Sequence, residues 1–269
     1  MTYAVVGFLI TVGLFLGMLL FLEIGRRAGI RRLKEDPEGG AGGVGAIDGA
    51  VFALLGLLIA FTFSGAASRF DARRQLIIEE TNDIGTAYLR IDMLPANAQQ
   101  ALRESFRRYL DARLEVYQKL PDVEAAKQSL AKANDLQSQI WRQANVAVRA
   151  ENAPPAAPML LLPALNAMID ITTTRTMATE MHPPIIIFLM LFGLALLASL
   201  LAGFGIAGNK VRSWFHMLGF ALVMGVAVYV IMDIEYPRLG LIRVDAFDQA
   251  LVDLRESINR DIQNPGPKE

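Results

Sequence analysis

Four long apolar runs are separated by polar stretches that keep a helical period. The first, residues 3–22, is free of charge, and about 20 apolar helical residues cross the ~30 Å of bilayer hydrocarbon. The second is residues 49–68. The third, 185–207, follows Pro183 and Pro184, and proline suits a first helical turn, where its missing N–H has no partner to lose. The fourth, 213–232, has Trp214 near one end and Tyr229 near the other, as expected of an interfacial aromatic belt. One such run could be a buried core helix. Four predict an all-α integral membrane protein with four transmembrane helices. Run one lacks a basic leader and is followed by Glu23, Arg26 and Arg27, so it reads as a retained span and not a cleaved signal.

The stretch 69–182 is polar but periodic. Nothing interrupts helix beyond Arg69 until Pro95, and Phe70, Ile77, Ile84, Tyr88 and Ile91 share one stripe. Leu102, Phe106, Tyr109, Leu110, Leu114 and Tyr117 mark a second amphipathic helix, ended by Pro121. Val123, Leu130, Ile140 and Trp141 mark a third, Ala153–Pro158 a loop, and Leu161, Leu165, Met168, Ile169 and Thr172 a fourth. The spacing predicts an antiparallel bundle whose first and last helices continue into spans two and three. The segments are then a hairpin over 1–68, the bundle over 69–182, a second hairpin over 183–232 and a tail over 233–269. In the tail, Val244, Phe247, Leu251, Leu254 and Ile258 predict a helix packed on the bundle, and the final NPGPKE reads as frayed. Glu79, Glu80 and Asp83 are expected as solvated carboxylates. The glycine-rich GGAGGVG at 39–45 lacks the Gly-Lys-Ser/Thr of a phosphate loop and reads as a flexible hairpin.

Composition narrows the chemistry. Hydrophobic residues make up 53 % of the chain, mean hydropathy is +0.35 and net charge is −1, which leaves no basic footprint for nucleic acid. There is no cysteine and there are only two histidines. Thiolate chemistry and multi-histidine metal sites are excluded. His182 and His216 each sit at a membrane edge without a catalytic motif, so the reading is a non-enzyme with no cofactor and no metal. The short loop between runs one and two carries Arg26, Arg27, Arg31, Arg32 and Lys34, and that between runs three and four Lys210 and Arg212. The positive-inside rule puts both in the cytoplasm. The expected location is a bacterial inner membrane, with the bundle and C-terminus in the periplasm.

Span two holds the most specific pattern. Gly49, Ala53, Gly56, Ala60, Ser64 and Ala67 form a small-residue stripe, which permits close helix packing in lipid. Beside it run Phe52, Leu55, Ile59, Phe63, Ala66 and Phe70. Around a symmetry axis this apolar-aromatic stripe would form a neck that gates by dewetting; in a monomer both stripes are ordinary packing. Arg69, Arg73 and Arg74 lie just past the span. They read either as an ion-attracting ring or as interfacial anchors. A polar cluster is expected at the same surface from Asp71, His182, Asp233, Glu235, Arg238, Arg243 and Asp245. It would serve as interlocking ion pairs, or for ion coordination or pH sensing through His182.

Four segments carry a resemblance: FTFSGAASRFDARRQLIIEETNDIGTAYLRIDMLP, LNAMIDITTTR, HPP before span three, and IEYPRLGLIRVD after span four. Together they resemble the bacterial bestrophin-like domain family, over nearly the whole chain. The resemblance implies the plan of bestrophins, pentameric anion channels whose pore is lined by span two, with Phe63 and its stripe as the neck. Bestrophin inserts are cytoplasmic, whereas the charges here favour the outside. No acidic cluster resembles the bestrophin calcium clasp, although Asp245 and Asp248 are close in sequence. The expected partners are the bilayer, further copies of the chain (five by analogy) and small ions, anions favoured. The alternative is a non-conducting membrane scaffold or sensor whose bundle binds a partner.

Overall fold

The computed structural model describes residues 3–35, 44–208 and 213–264. The described residues form helices joined by turns, without strands. The helices are α1 (Tyr3–Glu35), α2 (Val44–Leu89), α3 (Ala96–Gln118), α4 (Val123–Ala147), α5 (Ala157–Glu180), α6 (Ile185–Gly205), α7 (Trp214–Glu235) and α8 (Gln249–Gln263). Four helical stretches are long and apolar enough to cross a membrane, contributed by α1, α2, α6 and α7. The glycine-rich residues 39–43, the loop cations Lys210 and Arg212, and residues 265–269 of the tail lie outside the described residues.

Two compact units are present. The first comprises Met1–Phe70 and His182–Ile242, and the second Asp71–Met181 and Arg243–Glu269.

In the first unit α1 packs on α6 and α7. The α1–α6 seam is made of glycine. A Cβ on Gly25 would lie 2.8 Å from the Leu200 carbonyl carbon, and one on Gly203 would lie 2.9 Å from Leu22 Cα. One on Gly29 would meet the Phe204 carbonyl oxygen at 2.8 Å. Backbone therefore meets backbone from both sides, a contact that maximises dispersion where no hydrophobic effect is available. This seam also explains why α1 runs to Glu35, well past the expected end of its apolar run at residue 22. Gly25 and Gly29 hold the charged continuation on α6. Leu14, Met18, Leu191, Ala195, Ala198, Ala221 and Val228 complete the core of this unit.

In the second unit α3 packs on α4 and α8, and α4 on α5. The expected apolar positions Ile84, Ile91, Leu102, Phe106, Tyr109, Leu110, Leu161, Leu165, Met168, Leu251 and Ile258 are buried together. Helix α4 differs from expectation. Val123 is exposed, and the buried seam is Ala126, Ser129, Ala133, Leu136, Gln137, Ile140, Ala144 and Ala147. Alanine lets α4 lie close to its neighbours but contributes little apolar signal to the sequence. Asp122 caps α4, its carboxylate accepting from Ala125 N at 3.0 Å, which satisfies one of the helix's orphan donors.

Candidate functional site

Span two is the least covered of the four. Only 6 % of its apolar window is buried, against 22 % for α1 and 39 % for α7. What is covered is one narrow stripe. Leu55 is 2 % exposed and Ala66 fully buried, with Val51, Phe52, Leu58, Ile59 and Phe70 packed partly against the same core. Phe52 meets Phe220 edge-on at 6.2 Å.

The two stripes of α2 differ in how far their own unit covers them. Phe52, Leu55, Ile59 and Phe70 form the face that seats α2 on its own unit, with Leu55 fully seated. Phe63 alone among the expected neck residues stays open, 45 % exposed. The small-residue stripe is open as well. Gly49, Ala53, Gly56, Ala60 and Ser64 are exposed, Ala67 is half-buried, and a Cβ on Gly49 or Gly56 would meet nothing within 4 Å. The close packing expected of this stripe is made instead by Gly25, Gly29 and Gly203 at the α1–α6 seam. Beside the open stripe stand Leu54, Leu57 and Phe61, the last 66 % exposed.

The three arginines beyond the span are all engaged. In the first unit Arg69 Nε donates to Glu235 Oε1 at 2.8 Å, and its NH2 reaches the same oxygen. Glu235 is fully buried, and its other oxygen faces His182 Nδ1 at 3.3 Å. The imidazole stacks on Tyr236 at 4.3 Å, and Tyr236 in turn packs on Tyr3 at 4.2 Å. In the second unit Arg73 donates to the carbonyls of Ala178 (3.0 Å) and Met181 (2.9 Å), satisfying acceptors that the C-terminal end of α5 leaves open. Arg74 pairs with Asp71 at 2.9 Å and lies 4.3 Å from the ring centre of Phe247. Each of the three cations thus has a partner within its own unit.

The expected polar cluster divides between the units. His182, Asp233, Glu235 and Arg238 belong to the first; Asp71, Arg243 and Asp245 belong to the second. Asp233 is buried and accepts from the backbone N–H of Leu241 (2.9 Å) and Ile242 (2.6 Å), so its carboxylate closes the turn after α7. Arg238 is half-buried within that turn. Arg243 pairs with Asp245 at 2.5 Å.

The largest departure from expectation is Glu80. It is fully buried, whereas a solvated carboxylate was expected. Arg113 Nε donates to its Oε1 at 2.5 Å, and Arg175 NH1 donates to its Oε2. Arg175 NH2 continues to Asp248 at 2.9 Å, and Tyr117 lies under the Arg175 guanidinium at 3.9 Å. Burial would raise the Glu80 pKa, but the two guanidiniums outweigh it and hold the carboxyl below its ordinary value. Burial, followed by the nearby Glu79 and Glu80, pushes the half-buried Asp83 the other way, upward. Alongside, Gln137 Nε2 donates to Tyr109 Oη (3.0 Å) and Thr172 Oγ1 (2.9 Å). Burial, the main cause, pushes the Tyr109 phenol up to about 12. One signal for this network was present in the sequence. Glu80 falls between Ile77 and Ile84 on the buried stripe, and Arg113 between Tyr109 and Tyr117.

The bestrophin-like domain profile matches residues 7–246. The chain belongs to the bestrophin-like domain family. Two crystal structures of point variants of a bacterial bestrophin homologue from Klebsiella pneumoniae share its fold. One has a TM-score of 0.67 at 15 % identity over 93 % of this chain and 99 % of the other. The second has a TM-score of 0.65 at 14 % identity over 89 % and 98 %. A third structure, described only as a membrane protein, gives 0.60 at 15 % identity over 91 % and 96 %. Among curated proteins nothing matches the sequence. This bestrophin-like chain is thus a helical, multi-pass membrane protein.

Proposed function

We propose that this bestrophin-like protein assembles from several copies into a channel for small ions, with α2 lining the axis. The observation that carries the reading is the bareness of α2. A helix apolar nearly all round, seated on its own unit by one stripe, leaves both a small-residue face and a large apolar face without cover. The small face (Gly49, Ala53, Gly56, Ala60) suits close approach to a neighbouring copy's helix. Phe63, which borders that face and is exposed, suits an apolar constriction that excludes ions until it is wetted. The bundle stands as an insert between spans two and three, on the periplasmic side of a bacterial inner membrane. Five copies and a preference for anions rest on the family resemblance, since the arginines past the span are engaged within their own units.

Planar-bilayer recording of the purified full chain tests the reading. Unitary currents are expected, and Phe63→Ala should widen the neck and raise conductance. Silence from the wild type and from Phe63→Ala would overturn it, as would a monomer by mass photometry. A cytoplasm-only fluorescent reporter fused after Glu269 should stay dark.

A further inference from the structure

The charged end of α1 is a built feature that conduction leaves unexplained. Residues 23–35 carry five basic and two acidic side chains, yet they continue α1 as helix. They are also fixed, because Gly25 and Gly29 leave no room between this segment and the backbone of α6. Arg32 lies 6.0 Å from the ring centre of Phe204 on the same side.

The opposite face of α1 is open and changes character abruptly. Leu16 and Leu20 are exposed, at 57 % and 58 %, and Ile24 at 45 %. Arg27, Arg31 and Lys34 are exposed next along the helix. At 3.6 residues per turn these six fall within roughly one quarter of the helix circumference. An apolar rail two turns long therefore runs directly into three cations. Arg27 gives its Nε to Glu23 at 2.8 Å, a pair whose arginine side chain is 72 % exposed. Trp214 and Phe215, both exposed, begin α7, and Leu33 of α1 reaches to 3.9 Å from the Cβ position of Gly208, shortly before α7. Exposed aromatics at this end mark the depth of the headgroups.

We propose that this face of α1 binds an anionic phospholipid, its phosphate on Arg27 and Arg31 and its acyl chain along Leu16, Leu20 and Ile24. Guanidinium recognises phosphate through two parallel N–H bonds. The net positive charge of residues 23–35 favours an anionic over a zwitterionic lipid. The glycine seam holds the site in place, so little order is lost on binding. A second copy presenting this same face would oppose like charges, which disfavours it as the occupant.

The test is native mass spectrometry of the delipidated full chain titrated with phosphatidylglycerol or phosphatidylcholine. Preferential retention of phosphatidylglycerol is expected. R27Q/R31Q should weaken it by about fivefold per removed cation at low salt, with phosphatidylcholine unchanged; Arg142→Gln, in the bundle, should have no effect. Equal retention of both lipids by the wild type overturns the proposal, as does full retention by R27Q/R31Q. Displacement of the lipid by excess inorganic phosphate would reveal a free-anion site and overturn it. A changed subunit number in R27Q/R31Q with lipid retention intact would make the face an interface between copies. No arm reads current, so the outcome is independent of conduction.

Discussion

Leu200 leaves no room for a side chain at Gly25. A methyl group there would stand 2.8 Å from the Leu200 carbonyl carbon and overlap its oxygen. Gly203 and Leu22 repeat the relationship from the other helix. Neither obstacle is a flexible side-chain tip, so accommodation requires the helices to part. Gly25→Ala and Gly203→Ala are each expected to cost about 1–3 kcal/mol or more, the range for overpacking a tight interior. Thermal unfolding in detergent would show it. Gly56→Ala, with nothing within 4 Å, should unfold like the wild type; any effect should fall on subunit number.

Removing Glu80 should be worse than removing its charge network as a whole. Glu80→Ala leaves the Arg113 and Arg175 guanidiniums buried without the carboxylate between them, and breaking a buried pair costs about 3–5 kcal/mol. An apolar triple replacement, Glu80→Leu with Arg113→Met and Arg175→Met, is expected to recover most of that loss. Chemical denaturation of the series checks it; if the triple variant were less stable than Glu80→Ala, the unpaired-charge account would be wrong.

The same carboxylate sets an acid limit. Its folded pKa lies below the ordinary value near 4.5, so its contribution is fully present above that value and is lost as pH falls through the lower, folded pKa. Stability should therefore hold near neutrality and drop below about pH 4.5. Glu80→Gln should remove this part of the acid-side slope. A pH series of melting curves gives both slopes directly.

Arg69 and Glu235 form the corresponding junction in the first unit. Arg69→Ala leaves a fully buried carboxylate with His182 facing it, so a loss of about 3–5 kcal/mol is expected. Arg69→Met with Glu235→Leu should be milder than Arg69→Ala alone. A double-mutant cycle read by thermal stability decides this; additive losses would show that the two side chains do not act as a pair.

After α7 the backbone folds back onto Asp233. A Cβ on Gly240 would lie 2.6 Å from the Asp233 carboxyl carbon. Gly240→Ala and Asp233→Ala should each open the turn, seen as faster proteolysis between residues 236 and 243. Leu241→Ala, whose side chain is exposed, should leave the rate unchanged.

The sequence by itself determined the four membrane-length apolar helices, the all-helical class and most of the apolar core of the second unit. Those depend on local quantities: run length, absence of charge and the helical period of side chains such as Ile84, Phe106 and Leu165. It also held the family signature. What it could not decide was which face of a helix meets which neighbour. In span two every face is apolar or small, so periodicity gives no direction, and only packing showed that Leu55 turns inward while Phe61 and Gly56 stay open. Glycine tells the same story. Gly25 and Gly56 are equivalent as letters, but one lies against a carbonyl and the other faces open space. Charged residues follow the same rule. Glu80 and Arg113 lie on buried stripes, and a charge there is tolerable only if its partner arrives from another helix. Partner residues thirty-three and ninety-five positions away, Arg113 and Arg175, are brought together by tertiary structure alone.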